Sequence, residues 1–107
     1  LQTRDLSPTV AYGGEEAIDL VDKDQPDVMV LDLMMPGIGG IETLRRIKRT
    51  HPNIEVIILT GHGSENEEQL AAELGAFAYL QKPVNIDRLA QVMRDAYRKV
   101  NEAREDG

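Results

Sequence analysis

The sequence has no cysteine, no long apolar run and no excess of positive charge, and each absence excludes a class of protein. Without Cys among its 107 residues, the chain forms neither a disulfide nor a thiolate metal site. No segment approaches the roughly 18 consecutive apolar residues of a membrane-spanning helix, and no signal peptide is visible. We therefore expect a cytoplasmic chain without a membrane partner.

Acidic residues outnumber basic ones, with 19 Asp and Glu against 12 Lys and Arg, which gives a net charge of -7. A domain of this charge is repelled by the phosphate backbone, so we expect no direct binding of nucleic acid. The one basic cluster, at residues 45–49, is interpreted as the solvated face of a helix. The length and the ordinary apolar content predict one globular unit.

Strand and helix signals alternate along the chain from Thr9 to Val100. The apolar runs in Val28–Leu33 and Ile54–Leu59 show no alternation of polar residues, which is typical of strands buried on both faces of a parallel sheet. Shorter strands are predicted at residues 9–12 and 77–80. This order favours right-handed crossovers and a doubly wound parallel α/β sheet.

Local signals mark the helices between these strands. Helical apolar spacing predicts one helix over residues 15–24 and another that ends before Pro52. Ser64 and Glu67 form a capping-box pattern, and Gly75 is the expected stop of that third helix. Asn85 is the expected N-cap of the last helix. The predicted apolar faces of the last two helices are Leu70, Ala71 and Leu74, and then Ile86, Leu89, Met93, Ala96, Tyr97 and Val100.

Three successive strands end in a carboxylate, a hydroxyl and an ammonium: Asp32, Thr60 and Lys82. The carboxyl ends of parallel strands meet at one edge of the sheet, where α/β proteins bind ligands. Each residue alone is more simply read as a loop hydrogen bond, a cap or a solvated charge. Together they suit phosphoryl transfer, in which Asp32 attacks, Thr60 and Lys82 hold the product, and Mg²⁺ commonly completes the site.

The segments Val-Leu-Asp-Leu-Met-Met-Pro-Gly, Leu-Thr-Gly-His-Gly and Tyr-Leu-Gln-Lys-Pro occur in this order. In spacing and order they resemble the receiver (CheY-like) domain of bacterial two-component response regulators. The resemblance covers residues 1–100, and residues 101–107 are expected to be a helix extension or a linker. It implies a flavodoxin-like sheet of strand order 2-1-3-4-5.

The resemblance also implies roles for individual residues. Asp32 is the phosphoacceptor, Thr60 and Tyr79 are switch residues, and Lys82 binds the phosphoryl group and precedes a proline often reached through a cis bond. Mg²⁺ is implied as cofactor, held by Asp32 and the backbone carbonyl of Met34. His62 corresponds to a variable position that influences the lifetime of the phosphoryl group, or it is simply an exposed loop histidine. Tyr79 is alternatively a fixed core aromatic.

One departure from the family concerns the start of the sequence. Receiver domains begin with a strand that ends in an acidic metal-binding pair, whereas this sequence begins near the end of the helix that follows that strand. The missing strand would lie between the strands of Thr9 and Asp32, which predicts a central gap with unpaired backbone groups. Either an earlier part of the protein is not represented, or another segment fills the gap, or the chain is an inactive remnant; we favour the first.

The leading hypothesis is a non-enzymatic signalling switch that accepts a phosphoryl group on Asp32 from a histidine kinase or phosphotransfer protein. Its expected output face, toward an effector or a second receiver, comprises helix 64–75, strand 77–80 and helix 86–100. An alternative is a receiver-like scaffold that is never phosphorylated. A phosphohydrolase of the haloacid dehalogenase type ranks far lower, because such enzymes carry a second Asp where this chain has Met34.

Overall fold

A computed structural model describes residues 8–33, 38–61 and 63–106. Strands and helices alternate along these residues, as the sequence predicts. The strands are β1 (Thr9–Ala11), β2 (Val28–Leu33), β3 (Glu55–Thr60) and β4 (Ala78–Gln81). The helices are α1 (Gly14–Lys23), α2 (Ile38–Thr50), α3 (Glu65–Glu73) and α4 (Ile86–Asp106).

The strands of the described residues form one parallel sheet in the order β1-β2-β3-β4. The predicted gap beside β2 is wrong, because Val10 of β1 lies directly opposite Val30 of β2. Direct pairing gives the backbone groups of the two strands hydrogen-bond partners, which an open gap in the sheet would deny them. The strand that bears Asp32 is therefore flanked on both sides.

The sheet separates two apolar clusters. In β2, Met29 and Leu31 face the cluster under α1, α2 and α3, whereas Val28 and Val30 face the cluster under α4. β3 divides in the same way, with Val56 and Ile58 on one side and Ile57 and Leu59 on the other. Both central strands are thus buried on both faces, as their unbroken apolar runs predict.

The termini of the last two helices follow the predicted capping signals. Ser64 Oγ accepts the N–H of Glu67 at 3.1 Å, and Asn85 Oδ1 accepts the N–H of Asp87 at 2.7 Å. α3 is followed by Gly75, whose φ of 99° lies in the left-handed region. α4 runs on to Asp106, so residues 101–106 extend the helix.

Two apolar residues predicted to be buried are exposed. Leu70 on α3 is 44% exposed and Ile86, the first residue of α4, is 77% exposed. Other members of the predicted faces are buried as expected, namely Ala71 of α3 and Ala96 and Val100 of α4, and Val92 of α4 is buried although the pattern did not include it. The spacing of apolar residues identified both helices, but it did not locate the part of each helix that lies over the sheet.

Candidate functional site

The ends of β2, β3 and β4 place the predicted site residues at one edge of the sheet. Asp32 lies opposite Leu59, and Leu33 lies opposite Thr60. Thr60 in turn lies opposite Gln81, the last residue of β4, so that Lys82 follows immediately. Thr60 also accepts the backbone N–H of Lys82 through its carbonyl at 2.8 Å. The three residues therefore occupy adjacent strand ends.

Asp32 and Lys82 are in direct contact across β3. Oδ1 of Asp32 lies 2.5 Å from Nζ of Lys82, and the two side chains are 18% and 36% exposed. Oδ1 is buried and has no partner of hydrogen-bond geometry among the described residues, so the contact is an ion pair without a well-aligned hydrogen bond. The resting carboxylate is thereby paired with a cation that also suits a phosphoryl group.

Thr60 belongs to the other side of the sheet by strand alternation. It is 2% exposed, and it shares its parity with Val56 and Ile58, whereas Asp32 shares its parity with Val28 and Val30. The structure thus brings Asp32 and Lys82 together and places Thr60 on the strand between them. The order of strands in the sequence predicted that the three residues share one edge of the sheet. It did not predict that the side chain of Thr60 belongs to the opposite face from Asp32.

Tyr79 in β4 points its hydroxyl at the start of α3. The hydroxyl donates to Oε1 of Glu67 at 2.8 Å. Burial, followed by this hydrogen bond and the charge of Glu67, raises the pKa of Tyr79 to about 12. The phenol is therefore a stable donor at neutral pH.

Glu67 is the residue of this site that sequence reasoning missed. The capping-box pattern had identified it as the partner of Ser64 at the start of α3. Nothing in that local pattern indicates that its carboxylate also reaches β4, because Tyr79 is twelve residues away in the chain.

The metal site suggested by the resemblance is only partly represented by the described residues. Met34 and His62 lie outside them. No group of three or more His, Cys, Asp or Glu side chains in the described part of the chain is placed to hold a metal ion. Mg²⁺ takes one or two carboxylates together with carbonyls, waters and phosphate oxygens. Asp32 alone does not make such a set, so the described residues do not by themselves form the metal site.

The peptide bond between Lys82 and Pro83 is cis, as the resemblance implies. None of the described helices combines the length and apolar character that crossing a bilayer requires.

The family model of the response regulator receiver domain matches residues 1–94. The chain belongs to this family. Its two-component, phosphorelay character and its CheY-like, flavodoxin-like fold follow from that membership, and receiver domains are signalling switches rather than classical enzymes.

Several characterised proteins are similar to this receiver domain. Sporulation initiation phosphotransferase F of Bacillus subtilis is 43% identical over 89 residues, which cover 83% of this chain and 68% of the relative. Transcriptional regulatory protein CpxR of Escherichia coli K12 is 42% identical over 99 residues, covering 92% of this chain but 42% of CpxR. The chain thus spans less than half the length of CpxR.

Solved structures give the same assignment. The signal receiver domain of a putative LuxO repressor protein from Vibrio parahaemolyticus matches with a TM-score of 0.79 and 30% identity, covering 91% of this chain and 75% of that one. The beryllofluoride-activated receiver domain dimer of NtrC4 matches with a TM-score of 0.71 and 31% identity, covering 80% and 71%.

Proposed function

We propose that this receiver domain is a phosphorylation-dependent switch that accepts a phosphoryl group on Asp32 from a histidine kinase or phosphotransfer protein of a two-component phosphorelay. The observation that carries the proposal is the ion pair between Asp32 and Lys82 at the carboxyl ends of β2 and β4. It joins a nucleophile to a cation at the edge where α/β sheets bind ligands.

The transfer is a nucleophilic displacement at phosphorus. A carboxylate oxygen of Asp32 forms a bond to phosphorus as the bond from phosphorus to the histidine nitrogen breaks, and the bonding electron pair stays on the imidazole. The product is an acyl phosphate on Asp32. This step requires that the carboxylate be ionised and reachable. The side chain of Asp32 is 18% exposed to solvent.

Lys82 has a role before and after the transfer. In the resting chain its ammonium balances the charge of Asp32 at 2.5 Å. Phosphorylation replaces one negative charge by up to two on the phosphoryl oxygens, so the same ammonium then pairs with the larger charge. Lys82 is therefore proposed as the phosphate-binding residue.

Thr60 and Tyr79 are proposed as the switch residues. Thr60 ends the strand between Asp32 and Lys82 and begins the loop that leads to α3. Movement of its hydroxyl toward the phosphoryl group would pull this loop, and Tyr79 would follow into the space released. Phosphorylation would then bias a two-state element, as local charge switches do.

Mg²⁺ is proposed as the cofactor from family membership. When bound, it would neutralise charge on the phosphoryl oxygens. Within the described residues, Asp32 is the side chain available to it at this edge, and further ligands have to come from elsewhere.

The output face is proposed on α3, β4 and α4. It carries two exposed apolar side chains, Leu70 and Ile86. Val10 and Tyr12 are also exposed, and apolar side chains exposed singly are common on protein surfaces, so the choice of this face rests on the family resemblance. The proposed partner is an effector or a second receiver domain.

Intact mass spectrometry with acetyl phosphate and Mg²⁺ tests the proposal. We expect a mass increase of one phosphoryl group on the wild-type chain and none on Asp32→Asn. Asp19→Asn, an exposed change on α1, is the matched control and should be modified like the wild type. Peptide mapping should place the group on Asp32.

Other results of this experiment would overturn the proposal. A wild-type chain that takes up no phosphoryl group would favour the scaffold without phosphorylation. Continuous phosphate release from many phosphate esters, lost in Asp32→Asn, would favour the phosphohydrolase. Equal modification of wild type and Asp32→Asn would assign the acceptor elsewhere.

A further inference from the structure

The hydroxyl of Tyr79 contacts groups from Ser64, just before α3, and from Glu67 in the first turn of α3. It donates to Oε1 of Glu67 at 2.8 Å, and the backbone N–H of Ser64 donates to the same hydroxyl oxygen. We call this arrangement of Ser64, Glu67 and Tyr79, together with Gly63, the tyrosine seat.

Gly63 packs closely against Tyr79 in the tyrosine seat. A Cβ atom on this residue would lie 2.8 Å from the hydroxyl oxygen of Tyr79 and 3.0 Å from its ring carbon Cε1. It would also lie 2.9 Å from Nε2 of Gln81. Cβ atoms do not tolerate such contacts, so any side chain here would displace Tyr79 together with the end of Gln81. The close packing of Tyr79 on this loop therefore depends on glycine.

The tyrosine seat is connected to the proposed phosphorylation site through the chain itself. Gly63 and Ser64 lie three and four residues after Thr60, which ends the strand next to Asp32. Glu67 is tied to the same loop because its backbone N–H donates to Ser64 Oγ at 3.1 Å. A displacement of this loop consequently acts on both partners of the Tyr79 hydroxyl.

Among the acidic residues in the first turn of α3, the described contacts single out Glu67. Glu65, Glu67 and Glu68 all lie in this turn, and Glu67 is the one that accepts the hydrogen bond of the Tyr79 hydroxyl. A carboxylate acceptor gives a stronger hydrogen bond than a neutral one. The charge of Glu68 also raises the pKa of Tyr79, as the smallest of the causes.

We propose that Glu67 is a positioning residue that holds Tyr79 against Gly63 and Ser64 and keeps β4 and the start of α3 in the resting arrangement. The coupling to phosphorylation rests on the function proposed above. The tyrosine seat itself is a property of the unmodified chain, so the two parts are tested separately.

Titration of the tyrosines by NMR of ¹³Cζ-labelled chain tests the seat without any phosphoryl donor. We expect Tyr79 to titrate at about 12 in the wild type. In Glu67→Gln, which keeps an acceptor but removes the charge, this pKa should fall toward the ordinary value of about 10. In Glu68→Gln, the matched control, the decrease should be clearly smaller. Equal decreases in both variants, or none in Glu67→Gln, would overturn the role of Glu67.

Amide hydrogen exchange gives a second readout near neutral pH. Glu67→Gln and Tyr79→Phe should each speed exchange several-fold in residues 63–67, and the double variant should add little to either one. Gly63→Ala should produce the same pattern with the hydroxyl and the carboxylate both present, because its Cβ displaces Tyr79. Unchanged exchange in all three variants, or additive effects in the double variant, would contradict the tyrosine seat.

The coupling is tested with acetyl phosphate and Mg²⁺ once the adduct on Asp32 has been measured. We expect the Tyr79 signal to shift on phosphorylation, and the yield of adduct at fixed time to rise about two- to fivefold in Glu67→Gln because the resting arrangement is weakened. Glu68→Gln should match the wild type.

An adduct that forms equally in all three chains with no shift of Tyr79 would overturn the coupling while leaving the phosphoacceptor proposal standing. Absence of any adduct would overturn the phosphoacceptor proposal and the coupling with it, whereas the titration and exchange results would still decide the seat.

Discussion

At the scale of one residue, Lys48 shows how a charged side chain provides hydrogen bonds to backbone carbonyls in the connection between α2 and β3. Its Nζ donates to the carbonyls of Pro52 at 3.0 Å and Ile54 at 2.9 Å, between α2 and β3. Burial lowers the pKa of Lys48 from 10.5, and the charge of nearby Glu55 partly opposes this shift. The ammonium gives both carbonyls a partner at some cost in desolvation.

We expect Lys48→Met to lower the free energy of unfolding by about 2 kcal/mol, because charge-assisted hydrogen bonds to two carbonyls are lost. Urea unfolding measures this change. Lys23→Met, at the exposed end of α1, is the control and should change it by less than about 0.5 kcal/mol.

The pH dependence of this effect has a definite sign. Since the pKa of Lys48 is lowered in the folded chain, folded Lys48 loses its proton at a pH where the unfolded chain still holds one. The unfolded state then binds more protons, so stability from Lys48 increases as pH rises toward 10.5. The difference between wild type and Lys48→Met should therefore widen over that range. A difference that narrows would contradict the shift.

At the scale of one element, α3 shows how local signals fix both ends of a helix. Ser64 caps its start, as described above. Past its end, the N–H of Gly75 donates to the carbonyl of Ala72 at 3.0 Å and the N–H of Ala76 donates to Ala71 at 2.9 Å. This is the Schellman pattern, which requires the left-handed conformation that Gly75 adopts.

Substitution of two glycines by alanine should have opposite effects on stability. Gly75→Ala should lower the free energy of unfolding by about 1 kcal/mol or more, because its φ of 99° strains an L side chain. Gly39→Ala, in the first turn of α2, meets no neighbour within 4 Å and should raise it by about 0.5–1 kcal/mol. Urea unfolding of both variants is the measurement. Changes of the same sign would contradict these backbone assignments.

At the scale of the whole molecule, α4 is joined to the edge of the sheet opposite Asp32. Lys99 pairs with Glu55 at 3.2 Å at the start of β3, and Arg104 pairs with Asp27 just before β2. Lys99 also lies over the ring of Phe77, 5.7 Å from its centre. Glu55 is only 7% exposed, so Lys99 replaces part of the water that would otherwise contact its carboxylate.

Replacing both partners of this pair should cost less than the two single replacements added together. Lys99→Met leaves Glu55 buried without its ion-pair partner, and we expect a loss of about 1–2 kcal/mol. The double variant Glu55→Gln with Lys99→Met should lose less than the sum of the single changes. Chemical unfolding of the four chains of this cycle measures the coupling. Strictly additive losses would indicate that the pair does not interact in solution.

The elements of this receiver domain could be predicted because their signals are local. Unbroken apolar runs identified β2 and β3, and the side-chain oxygens of Ser64 and Asn85 marked the starts of two helices. The identity of the family followed from short motifs at strand ends. The strand boundaries differ from the predictions by about one residue, because the first and last residue of a strand depend on its pairing with the adjacent strands.

The sequence by itself determined which residues reach the edge of the sheet, since alternation of strands and helices brings parallel strand ends together. Only the tertiary structure decided which of them touch. The direct pairing of β1 with β2, the contact of Asp32 with Lys82 and the bond from Tyr79 to Glu67 join residues far apart in the chain. The exposure of Leu70 and Ile86 likewise depends on where a helix lies over the sheet. Such contacts depend on strand register and helix placement, which act over the whole core and leave no periodic trace in a local stretch of sequence.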